Sequence, residues 1–149
     1  MSTSPSSSPP PLPSCSPSTA SASTPLAVAA VEWVCGDALQ TPFPARSFDL
    51  VSMQYPALPL AAGEDAVRTL LDAVRPGGLL LAVYHDLDHD HREHMKSQGF
   101  DPADYVDADD LARLLGEDFT VERHAVEPRI DPPPGTPHIA DIVLRARRR

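Results

Sequence analysis

No charged side chain precedes Glu32, and no glycine precedes Gly36. Residues 1–26 are almost wholly Ser, Pro, Thr and Ala. Such a stretch has too little apolar surface to offset the entropy of ordering it, so a disordered, partly polyproline-like tail is expected. A secretory signal would need a basic start and a continuous apolar core, and a transit peptide would carry arginines; the tail has neither. No apolar run approaches the ~18–20 residues that cross a bilayer as a helix. Cysteine occurs only at Cys15 and Cys35, with no CxxC spacing, so no disulfide framework is implied and a reducing, cytoplasmic setting fits. Basic residues are outnumbered, and the formal charge of −9 disfavours a general nucleic-acid partner. Arg145, Arg147, Arg148 and Arg149 are a local exception, read as a solubilising end to the last strand.

What remains, about 120 residues, suffices for one domain with a modest core. Residues 27–149 are taken as that domain. In LAVAAVEWVC, residues 31–35 read as a strand. Residues 41–47 hold Pro42 and Pro44 and are loop. Residues 48–53 (FDLVSM) form a short buried strand, followed by the proline-bearing loop QYPALP. Residues 63–74 (GEDAVRTLLDAV) show helical spacing through Ala66, Leu70, Leu71 and Val74, with acidic residues in the first turn. Arg75-Pro76-Gly77-Gly78 stops that helix. Residues 79–84 (LLLAVY) make a continuous apolar run, which suits a strand buried on both faces. Strand, helix and strand form a βαβ unit with a parallel pair. A further helix covers residues 107–115, with Asp107 as N-cap and Gly116 as its stop. Residues 119–130 and 138–147 are two strands around the turn DPPPGTP, hence antiparallel.

Read in order, Gly36-Asp37-Ala38, the loop TPFPARSFDLV, the block LLDAVRPGGLLLAVYHD and the closing hairpin resemble the C-terminal two-thirds of a class I S-adenosylmethionine-dependent methyltransferase (methyltransferase type 11/25-like). No single piece is specific; the ordered set, over about residues 31–147, carries the resemblance. It implies an α/β, Rossmann-like sheet, mostly parallel with a terminal antiparallel hairpin, and S-adenosylmethionine as cofactor. Ligands of open α/β sheets lie across the carboxyl ends of the strands. By the resemblance, Asp37 accepts from the adenine amino group, the backbone of Ala38 meets the ring, and Gln54 to Pro56 lie beside the methyl donor and the substrate. The family's glycine-rich first motif, E/D-x-G-x-G-x-G, has no counterpart here, and neither do the first two strands. The chain is therefore expected to be N-terminally truncated. The edge of residues 48–53 is expected to be open and apolar, giving a marginal fold or an oligomer through that edge.

The individual residues have competing readings. Asp37 after Gly36 could simply cap a turn. Tyr55 is either a rim aromatic or a substrate contact. His85 follows the apolar strand at its carboxyl end; it is either a loop cap or a general base, for which its reference pKa of about 6.5 is suited. Methyl transfer needs no obligatory base, because proximity and orientation can carry it. Residues 85–94 (HDLDHDHREH) hold four of the six histidines. His85, His89 and His91 could ligate a divalent metal, but the spacing matches no compact zinc pattern, so no metal is assigned. Asp141 is expected to face solvent or pair with an arginine, and His138 to face the pocket weakly. The expected function is methyl transfer to a small molecule, with no nucleic-acid or membrane partner. The competing functions are a non-catalytic binding or assembly module and a His/Asp-rich metal-binding protein.

Overall fold

The computed structural model describes residues 31, 33–41, 43–136 and 138–149. The expected tail of residues 1–26 lies outside them. The chain divides into two units, Met1–Asp37 and Ala38–Arg149.

In the first unit, Val31 and residues 33–37 have no regular structure, and Trp33 is 73% exposed. None of the described residues in the strand expected over 31–35 is in a strand. An apolar run becomes a strand only where a neighbouring ladder takes its N–H and C=O groups. The described residues of this unit pair in no ladder.

The second unit is a four-stranded sheet. Its elements are β1 (Phe48–Gln54), α1 (Glu64–Asp72), β2 (Val74–His85), α2 (His89–Ser97), α3 (Ala108–Leu115), β3 (Phe119–Pro128) and β4 (Ala140–Arg148). Strand order is β1-β2-β4-β3. β1 and β2 are parallel around α1, as the βαβ reading expects. β4 is antiparallel to both β2 and β3, which confirms the hairpin.

One face of the sheet is covered by helices over β2 and β4. Leu80, Ala82, Leu144 and Ala146 are completely buried there, with Met53 beside them. α1 contributes Val67, Leu70 and Leu71, and α3 contributes Leu111, Leu114 and Leu115. Both helices touch β2, and α3 also touches β4. The alternate residues of β2, Leu79, Leu81 and Val83, are only half-buried. The expectation of a strand buried on both faces is thus corrected: the apolar run conceals a period of two. β1 is corrected likewise. Met53 is buried, whereas Leu50 at the sheet edge is 53% exposed.

The helix boundaries follow local chemistry. Asp107 accepts from the backbone N–H of Asp110 at 2.8 Å, the expected N-cap of α3. α1 ends at Asp72, and Val74 already belongs to β2. α2 was legible only as a histidine cluster. Asp88 caps it by accepting from the N–H of His91 at 2.8 Å.

One core group breaks the pattern. The hydroxyl of Tyr84 is buried and finds no partner among the described residues. Burial, reinforced by Asp107 and Asp110, pushes its pKa upward. An unpaired buried hydroxyl costs about 1–3 kcal/mol. Tyr84→Phe is therefore expected to raise stability by about 1 kcal/mol in urea unfolding. Destabilisation by the same amount would mean that the hydroxyl is bonded.

Candidate functional site at the strand ends

β1 and β2 run parallel, so their carboxyl ends lie side by side. β1 finishes at Gln54 and β2 at His85. The next residue after β1, Tyr55, donates its N–H to the carbonyl of Val83 at 2.8 Å and turns with φ of 51°. A non-glycine residue in the left-handed region is uncommon and costs of order 1–3 kcal/mol, and such residues concentrate at functional sites.

That turn lays the Tyr55 ring against His85, centroids 4.0 Å apart and planes within 15°. His138, from the loop between β3 and β4, stacks on His85 at 4.3 Å and 20°. Two rings cannot share one face, so His85 is sandwiched between Tyr55 and His138. His91 of α2 lies beyond His138 at 5.4 Å.

An ion pair closes the ring edges. Arg129 donates from Nε to Asp141 Oδ2 at 2.8 Å and from Nη2 to Asp141 Oδ1 at 2.7 Å. This is the two-pronged geometry that makes arginine–carboxylate pairs specific. Nη2 also reaches the Tyr55 hydroxyl at 2.8 Å and His85 Nδ1 at 3.2 Å. The Tyr55 hydroxyl donates onward to Asp141 Oδ2 at 3.3 Å. The Asp141 side chain is 14% exposed. Arg129 holds its carboxyl below the usual range. Burial lowers the pKa of His85, with His138 and Arg129 acting the same way and Asp141 opposing them. These effects together favour the neutral imidazole.

The two residues expected to act chemically, Tyr55 and His85, are brought together. Gln54 is exposed beside them and donates from Nε2 to Ser52 Oγ at 2.9 Å. Asp37 is an exposed residue of the first unit; Ala38 opens the second unit in an exposed turn. Of the two readings of Asp141, solvent or an arginine, the structure shows the arginine, and His138 is more central than expected. Arg129 was missed. Its partner Asp141 lies opposite His85 in the β2–β4 register and opposite Glu127 in the β3–β4 register. Nothing in the linear sequence places residues 55, 85, 129 and 141 at one point. Among the described residues no group of three or more His, Cys, Asp or Glu side chains could hold a metal ion. Among them, too, no helix is long and apolar enough to cross a membrane.

Comparison with known proteins agrees with this architecture. A methyltransferase domain family model matches residues 10–82. The chain is 38% identical over 53 residues to the ubiquinone/menaquinone biosynthesis C-methyltransferase UbiE of Pseudomonas fluorescens strain SBW25, covering 36% of this chain and 21% of that protein. UbiE of Pseudomonas syringae pv. tomato is 40% identical over the same length. The chain thus spans about a fifth of the curated relatives it matches. Among solved structures, the N-methyltransferase NodS of Bradyrhizobium japonicum WM9 superposes with a TM-score of 0.56 at 17% identity, covering 80% of this chain and 61% of that one. A S-adenosylmethionine-dependent methyltransferase of Methanosarcina mazei gives 0.56 at 17% identity, covering 78% and 66%. At such identities the structural likeness speaks for the fold alone, and the sequence matches point to the family over part of the chain. The family-model match, the UbiE relatives and the fold, with its βαβ unit and closing antiparallel hairpin, together support a class I S-adenosylmethionine-dependent methyltransferase family.

Proposed function

We propose that this protein takes part in methyl transfer from S-adenosylmethionine to a small molecule, through a domain spanning residues 27–149. The observation that supports this reading is the pairing of Tyr55, with its positive φ, and His85 at adjacent carboxyl ends of parallel strands. That is where open α/β sheets take their ligands.

By the resemblance, Asp37 would accept from the adenine amino group, the backbone of Ala38 would meet the ring, and Gln54 would lie beside the donor. All three are exposed. The glycine-rich cradle for the methionine portion has no counterpart in these 149 residues, since no glycine precedes Gly36. The cofactor supplies an electrophilic methyl on a sulfonium. What this chain supplies is orientation: Tyr55 and His85 form a flat wall whose geometry is fixed by stacking and by Arg129. Proximity of this kind can carry much of a displacement barrier.

Calorimetry on the full chain with S-adenosylmethionine and S-adenosylhomocysteine tests the reading. Binding is expected, weakened about tenfold by Asp37→Ala, the loss of one hydrogen bond to a charged group. No heat at high-micromolar protein would refute it.

The same reading includes a cytoplasmic location and self-association through β1. Phe48 and Leu50 are 39% and 53% exposed along that edge. Unpaired apolar edges invite strand pairing. Light scattering should show a dimer that Leu50→Lys converts to monomer. A monomeric wild type at the highest concentration tested would sink the proposed pairing.

A further inference from the structure

The sequence leaves His85 open as a general base. The contacts around it point elsewhere. Arginine has five N–H donors and no acceptor. Arg129 Nη2 lies 3.2 Å from His85 Nδ1. A proton on Nδ1 would therefore face an N–H, whereas a lone pair there completes a hydrogen bond. The competing partner for a protonated Nδ1 is Asp141 Oδ1, at 3.5 Å. That is beyond the usual 2.7–3.2 Å range of N–H···O bonds. Asp141 already accepts from Arg129 Nε, Arg129 Nη2 and the Tyr55 hydroxyl.

We propose that Arg129 fixes His85 as the neutral tautomer protonated on Nε2, so that His85 is a hydrogen-bond donor recognising an oxygen acceptor of the ligand, such as a carboxylate, carbonyl or phenolate. The assignment of ligand class rests on the strand-end site being the substrate site; the tautomer does not.

Three features sharpen the donor. Both ring faces of His85 are covered, by Tyr55 and His138. Access is therefore edge-on, in the plane of the ring. The side chain is 32% exposed, and Nε2 has no partner among the described residues. Stacking also fixes the direction of the Nε2–H bond. Because Nε2 already holds the proton, it cannot remove one from a nucleophile. Arg129 is then a positioning residue: it acts on the ligand through the imidazole. The second N–H of its Nη2 serves both the Tyr55 hydroxyl and Nδ1, so removing the guanidinium unlocks both rings.

Long-range ¹H–¹⁵N NMR on the full chain, with ¹⁵N-labelled histidine near neutral pH, reads the tautomer directly. The His85 signals are identified by their loss in His85→Gln. A pyridine-like shift at Nδ1 and a pyrrole-like shift at Nε2 are expected. The reverse pattern, or an even mixture, would overturn the assignment. In Arg129→Gln the two tautomers should mix and the His85 pKa should rise, since the guanidinium opposes a second positive charge; an unchanged tautomer would remove Arg129 from its role.

Benzoate and benzylamine serve as acceptor and donor probes in the same spectra. Benzoate should shift the Nε2 signal and benzylamine should not. His85→Phe should weaken benzoate about tenfold, while His85→Gln, which retains an N–H donor, should stay within about threefold. Equal response to both probes would refute the acceptor class while leaving the tautomer standing. Failure of S-adenosylmethionine to bind would affect neither readout.

Discussion

Gly78→Ala is expected to destabilise the chain by about 1–3 kcal/mol, the usual cost of forcing a methyl into filled space. A β-carbon at Gly78 would sit 2.9 Å from the carbonyl oxygen of Arg75, 3.0 Å from that of Phe48 and 3.0 Å from Val74 Cγ1. Two of these are backbone atoms, which no rotamer change can move. The crowding arises because Arg75-Pro76-Gly77-Gly78 is a bulge inside β2. Phe48 pairs with Val74 and Leu50 with Leu79, so two steps along β1 match five along β2. The extra residues loop out and return tightly under Phe48. Gly77 turns this loop with φ of 75° but has open space around it. Gly77→Ala should therefore cost only the left-handed penalty, about 1–2 kcal/mol. Urea unfolding ranks the two variants, and hydrogen exchange should show β1 amides losing protection first in Gly78→Ala. Wild-type stability in that variant would mean that the bulge can open without loss.

The second large effect is expected at Arg148. Its residue is 5% exposed. Nη1 donates to the carbonyls of Leu71 at 3.3 Å and Val74 at 3.2 Å, and Nη2 to Asp72 Oδ1 at 2.9 Å. The guanidinium also lies 5.5 Å from the centre of the Phe119 ring. The Leu71 carbonyl belongs to the last turn of α1, where a cation is favoured by the helix dipole, and the Val74 carbonyl to the start of β2 just beyond it. An arginine at the end of β4 thus caps a helix far away in sequence, and the expectation of a solubilising terminal cluster is overturned for this residue. Its neighbours are tied down too: Arg147 Nε and Arg145 Nε lie 2.7 and 3.0 Å from the carboxylate of Glu122.

Removing one partner of a buried pair costs about 3–5 kcal/mol when the other is stranded. Here Asp72 is 57% exposed and can return to water. Arg148→Ala is therefore expected to cost about 2–3 kcal/mol, mostly lost packing and carbonyl bonds, below that range. Asp72→Ala should cost less, since Arg148 keeps both carbonyls. Thermal unfolding by circular dichroism distinguishes the two. A loss under about 0.5 kcal/mol for Arg148→Ala, typical of surface sites, would restore the solubilising reading.

Elements with strong local chemistry were readable in the sequence. α3 follows from Asp107 as cap and Gly116 as stop; the structure keeps both. The βαβ order and the antiparallel hairpin also follow from apolar runs and turn residues. Tyr55 could be nominated from the resemblance, and His85 because it directly follows the apolar run of residues 79–84.

Other properties were decided by tertiary contacts. Whether an apolar run becomes a strand depends on a neighbour for its amides, which is why residues 48–54 pair and the described residues of 31–35 do not. Whether a strand is buried on one face or two depends on what covers it, so LLLAVY conceals its alternation. The Arg129–Asp141–Tyr55–His85 cluster depends on register: β4 places Asp141 opposite His85, and the hairpin loop returns Arg129 to both. Sequence determined the pieces, because caps, turns and periodicity act within a few residues. The tertiary structure decided the site, because hydrogen bonds between residues 44 to 86 positions apart exist only after the sheet has closed.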